Sequence, residues 1–125
     1  MFVIDSDLTI HITRGDAATF SVSASVGETE FEFEQGDVVR FKVFAKKNCE
    51  DVVLQKDIKV TEPTKLVGIV LEKEDTTIGE VISKTTDYWY EVELNPETKP
   101  QTIVGYDANG AKIFKLYPEG GVSNG

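Results

Sequence analysis

Apolar and polar residues alternate with a period of two along most of this chain, the pattern of half-buried β-strands. Leu8, Ile10 and Ile12 alternate with Thr9, His11 and Thr13, and Ala18, Phe20, Val22 and Ala24 alternate with Thr19, Ser21 and Ser23. Arg14-Gly15-Asp16-Ala17 lies between them and supplies turn residues, so the two segments are expected to form a hairpin. Val39, Phe41, Val43 and Ala45 share a second face, which stops at the polar segment from Lys46 to Asp51. The strand that follows is expected to carry Val52, Leu54, Ile58 and Val60 on one side until Pro63 ends it. This is a second expected hairpin. Phe31 and Phe33 alternate with Glu30, Glu32 and Glu34, which fits either a short edge strand or a loop that tucks two rings into the core.

From Leu66 to Leu71 nearly every position is apolar, the pattern of a strand covered on both faces or lying at an interface. The polar stretch from Glu72 to Gly79 has room for one helical turn. Tyr88, Tyr90, Val92 and Leu94 then alternate with Trp89, Glu91 and Glu93 before Asn95-Pro96. A last hairpin is expected from Gln101–Tyr106 and Ala111–Leu116 around the Asn109-Gly110 step. Eight or nine short strands at this spacing predict an all-β fold, an antiparallel two-sheet β-sandwich, with a small barrel as the alternative. One domain is expected over residues 1–118, followed by a flexible, linker-like tail over 119–125.

Composition narrows the function. The formal charge of −9 disfavours nucleic acid and anionic membrane as partners, since a phosphate backbone is bound through a basic stripe. One cysteine, Cys49, allows no intrachain disulfide, and one histidine, His11, allows no two-histidine metal site. The first residues have neither the basic nor the apolar region of a signal peptide, and no apolar run approaches the ~20 residues that span a bilayer. His11 reads as an exposed strand residue and Cys49 as part of a polar turn. The carboxylates at Glu30, Glu32, Glu34, Glu91 and Glu93 repeat at solvent-facing spacing, and neither Asp5-Ser6-Asp7 nor Asp107-Ala108-Asn109 has the ligands of a calcium cage. No catalytic, cofactor-binding or metal residue is therefore assigned. Arg14-Gly15-Asp16 spells an adhesion tripeptide, but Gly-Asp recurs at Gly36-Asp37, where it also opens a strand, so a turn is the preferred reading. In Tyr88-Trp89-Tyr90 the two tyrosines must point one way and Trp89 the other, toward either the core or an interface. The candidate interface residues are Trp89, Tyr88, Tyr90, Val67, Ile69 and Leu71.

The segments Ile12 to Phe20, Gly36 to Val43 and Val52 to Asp57 together resemble the N-terminal domains of baseplate upper proteins and related tail proteins of phages and prophages of Gram-positive bacteria. The order of the later elements, Leu71 to Gly79, Tyr88 to Leu94 and Gly105 to Leu116, is similar too. The resemblance implies an immunoglobulin-like sandwich that helps assemble a tail or baseplate by protein contact and without catalysis or cofactor. It further implies a virion component made in the bacterial cytoplasm, whose partners are other tail or baseplate proteins or further copies of itself. The alternative is a carbohydrate-binding or adhesive domain that uses Tyr88, Trp89 and Tyr90 as a stacking platform.

Overall fold

The computed structural model describes residues 1–80, 83–105 and 110–119. In chain order it contains β1 (Phe2–Ile4), β2 (Ile10–Thr13), β3 (Ala18–Val22), β4 (Ser25–Val26), β5 (Thr29–Glu30), β6 (Val38–Lys46), β7 (Glu50–Lys59), β8 (Val67–Leu71), α1 (Lys73–Thr76), β9 (Thr86–Leu94), β10 (Gln101–Val104) and β11 (Lys112–Tyr117). The fold is all-β, with three sheets among the described residues where two were expected. A seven-stranded sheet runs β1-β2-β11-β9-β6-β7, with β10 also on β9, while β3-β8 and β4-β5 form two-stranded ribbons. All pairings are antiparallel except β2 with β11, which are parallel.

The core lies between the inner face of the large sheet and the β3-β8 ribbon. Phe41 of β6 is fully buried there, with ring centroids 5.5 Å from Phe20, 5.6 Å from Tyr90 and 6.3 Å from Phe114. The ribbon contributes Phe20, Val22, Val67, Ile69 and Leu71 to the same cluster. Phe33 is fully buried and bridges Thr64, while Phe31 packs edge-on to it at 5.1 Å, so this segment follows the loop reading.

The β6–β7 hairpin and the single turn of α1 form as expected. Within the hairpin, a β-bulge shifts the register so that Val43 faces Leu54 but Phe44 faces Val52. The extra residue, Val53, carries Val52 away from the face of Leu54 and Ile58, and Val52 is half exposed.

The other two expected hairpins do not form. β2 pairs with β1 and β11, and β3 pairs with β8, so residues 14–17 arch from one sheet to another. Gly15 takes the positive φ of 86° that this arch requires. The Arg14 side chain, 8% exposed, turns inward and donates to the carbonyls of Ile78 (3.2 Å) and Gly79 (2.6 Å) and to Glu119 Oε1 (2.6 Å). Asp16 accepts from the Met1 ammonium at 2.5 Å. The tripeptide is thus a structural turn whose two charges are both engaged.

At the other end of the chain, β10 and β11 lie in line along one edge of β9, opposite residues 92–94 and 86–90 respectively. They do not pair with each other; β9 and β10 form the hairpin instead. The Asn109-Gly110 step lies mostly outside the described residues, as does the expected tail, apart from Glu119. A second bulge, between Thr102 and Val104, turns both Ile103 and Val104 toward the inner side, where they pack on the core. Gly105 follows, and a Cβ there would stand 2.7 Å from Thr102 Cγ2, so any larger residue would force the Thr102 side chain to move.

Two substitutions test this packing in denaturant melts. Phe41→Ala should cost ~3–5 kcal/mol, as expected for an aromatic removed from a closed core. Arg14→Met should cost roughly 1–3 kcal/mol, because it leaves the carbonyls of residues 78 and 79 and the Glu119 carboxylate without their donor. An Arg14→Met variant as stable as the parent would show that the arch holds without its cation.

Candidate interaction face

Among the described residues, the outer face of the seven-stranded sheet contributes no residue to the hydrophobic core cluster. Its residues follow from the register. Arg40, Lys42 and Phe44 of β6 stand opposite Glu93, Glu91 and Trp89 of β9, and Trp89 in turn stands opposite Ile113 of β11. Because the bulge brings Val52 opposite Phe44, four strands contribute one continuous apolar row, Val52, Phe44, Trp89 and Ile113. Phe44 is 2% exposed although it points away from the main core, and the Lys42 ammonium stands 5.6 Å from its ring centroid. Trp89 and Ile113 are half-buried.

Charged rows flank this strip on both sides. Lys42 Nζ lies 3.0 Å from Glu93 and 3.5 Å from Glu91. Arg40 holds Asp57 through two bonds of 2.8 and 2.9 Å and reaches Glu97 at 3.1 Å. On the far side Lys115 approaches Asp87 at 3.8 Å. The Arg40 bonds hold the Asp57 carboxyl below the usual carboxylate range, and the same pairing raises the guanidinium. Above β7, burial pushes the Asp75 carboxyl up, but the Lys56 ammonium at 2.8 Å and the Glu72 N–H outweigh it and leave Asp75 lowered. Asp7 is lowered by the backbone N–H of Thr9.

His11 is not the exposed residue expected. Its side chain is 18% exposed, and both ring nitrogens are bonded, Nε2 to Asp5 at 2.6 Å and Nδ1 to the Tyr117 hydroxyl at 2.7 Å. A carboxylate only accepts, so Nε2–H donates to Asp5, and Nδ1 shares the other bond with the Tyr117 hydroxyl. These bonds tie the β1–β2 loop to β11. Cys49 takes the tight turn between β6 and β7 with φ of 62°.

Trp89 lies on the outer face, as one of its two expected positions. The other candidate interface residues do not share it. Val67, Ile69, Leu71 and Tyr90 are at most 4% exposed and pack into the chain's own core, and Tyr88 is half-buried on the inner side. The outward positions of β8 are Gly68 and Val70, so this strand is covered on one face only. Tyr90 donates its hydroxyl to the Leu8 carbonyl at 2.5 Å, and burial, with Asp7 nearby, raises its phenol. A three-ring platform of Tyr88, Trp89 and Tyr90 is not formed, because strand alternation sends neighbours to opposite faces. Sequence reading missed Phe44 and Ile113, whose place in the row depends on long-range register, and Val52, whose facing depends on a bulge.

Among the described residues, no group of three or more His, Cys, Asp or Glu side chains is arranged to hold a metal ion. No described helix is long and apolar enough to cross a membrane. No protein-family model, curated protein or solved structure matches this chain.

The paired and hydrogen-bonded carboxylates predict an acid limit to stability. Asp7, Asp57 and Asp75 all have folded values below their unfolded value of about 4, so their contribution is present above that value and is lost as pH falls through the folded values. Thermal midpoints should hold steady from neutral pH to about pH 5 and fall below about pH 4. Asp75→Asn should flatten part of that fall, and an unchanged acid limb in this variant would count against the pairing with Lys56.

Proposed function

We propose that this domain is a non-catalytic structural and assembly component of a phage or prophage particle, in the tail or baseplate, which works by protein contact. The observation that carries the contact reading is the apolar row Val52–Phe44–Trp89–Ile113 on a sheet face where the neighbouring charges neutralise one another. Interfaces of this kind place an aromatic at the centre of a desolvated patch with charges at the rim, and Trp89 has that position. The partner is another tail or baseplate protein or a further copy of the chain. The particle assignment is supported by the resemblance carried by Ile12 to Phe20, Gly36 to Val43 and Val52 to Asp57.

On this reading the large sheet and the β3-β8 ribbon are the two layers of an immunoglobulin-like sandwich. Support for it lies in the shared core between them. The β4-β5 ribbon and the parallel β2–β11 pair are additions to that plan.

Mass spectrometry of particles purified from an induced host should find the chain in a fixed ratio to the other components. Trp89→Ala should weaken its incorporation by roughly 2 kcal/mol or more, about thirtyfold, with its fold retained by circular dichroism. A chain absent from the particles, or a Trp89→Ala protein incorporated as well as the parent, would overturn the proposal.

A further inference from the structure

The ribbon over the core is too narrow for the sheet beneath it. Two strands, β3 and β8, face seven, and among the described residues β3 pairs with β8 alone. Every second peptide group of β3 therefore points away from β8, toward a groove walled by Ile4, Leu8, Phe20, Tyr90, Ile103 and Val104, with a volume of about 300 Å³. The bulge that turns both Ile103 and Val104 inward forms one wall. Ile103 also borders a second hollow of about 300 Å³ walled by Ala24, Phe31 and Leu94, so the apolar surface continues along the strand direction.

We propose that this groove receives an extended strand of another protein, which pairs with the open edge of β3 and widens the ribbon to three strands. The inference rests on the reading that the domain acts by protein contact, and it assigns a second surface on the side opposite Trp89. Backbone pairing with β3 supplies the affinity, and alternate side chains of the incoming strand, apolar and of Val or Ile size, fill the space over Tyr90 and Ile103. A strand paired along the five residues of β3 covers ~17 Å.

Charge identifies the end of the incoming strand. The β4-β5 hairpin that walls the second hollow carries Glu28 and Glu30, and Glu32 follows two residues on; all three are exposed, and none of them has an ion pair among the described residues. A segment with Lys or Arg beyond its apolar residues would meet these three carboxylates. Another copy of the chain brings its own charge of −9 to this acidic hairpin, so the occupant is a basic-ended strand of a different protein.

The test uses labelled synthetic peptides and fluorescence anisotropy on the full chain. The first peptide is Val-Thr-Val-Thr-Val-Lys-Lys, the second ends in Glu-Glu instead, and the third has Pro at its central Val. The first should bind saturably, the second at least tenfold more weakly, and the third not at all, since Pro removes a ladder donor. Glu28→Lys, Glu30→Lys and Glu32→Lys combined should reverse the preference between the first two. Ile103→Lys should abolish binding, and if it fails to fold the charge-reversal variant decides. Absence of saturable binding, a preference unchanged by charge reversal, or self-association through β3 would each overturn the groove assignment. Trp89→Ala lies on the opposite face and should bind the peptide normally. Impaired particle incorporation by Trp89→Ala together with no peptide binding would remove the groove and leave the contact reading standing.

Discussion

One buried cation anchors the arch from which the β3-β8 ribbon departs. Arg14 stands where the chain leaves β2 for the ribbon, and its guanidinium is satisfied by the loop at residues 78 and 79 and by Glu119 near the end of β11. A buried guanidinium is costly unless its donors are met, so three segments distant in sequence are held at one point. The backbone adds to this, because Arg14 N donates to the Tyr117 carbonyl at 3.0 Å and extends the parallel β2–β11 ladder by one bond. The buried Thr76 hydroxyl donates to the Asp16 carbonyl at 2.7 Å, so the segment that follows β8 is tied to the same arch. The arch fixes where β3 and β8 lie, and Phe20 then falls on Phe41.

That placement divides the molecule into two surfaces of different character. The inner side is a closed aromatic core under the ribbon and an open apolar groove beside it. The outer side is a face of paired charges crossed by one apolar row. Both surfaces depend on bulges, since the one in β7 adds Val52 to the row and the one in β10 turns Ile103 and Val104 to the groove. A single inserted residue decides in each case which face a side chain joins.

The alternation of β6 and β9 was legible in the sequence because each is a long strand with one buried face, and Phe41, Val43, Tyr90 and Val92 all lie inward as a period of two requires. The hairpin between β6 and β7 was legible because its partners are adjacent in the chain. The segments on either side of Gly15 carry equally clear alternation, yet they enter different sheets. Local pattern cannot separate a hairpin from an arch, and here the decision belongs to Arg14 and its partners 64, 65 and 105 positions away. β10 and β11 mislead in the same way, since a favoured turn step lies between two strands that both pair with β9. For the candidate face, the sequence supplied the opposed directions of Trp89 and its tyrosine neighbours. It did not supply the row, whose members come from four strands brought together by register.

Among the described residues the β3-β8 ribbon is two strands wide, and β3 is paired along one edge only. Residue-resolved amide hydrogen exchange on the free protein measures this directly. β3 amides that point toward β8 should be protected, those that point to the groove should exchange rapidly, and both edges of β9, which is paired on each side, should be slow. Uniform protection along β3 would mean that the edge is already covered and would contradict an open groove.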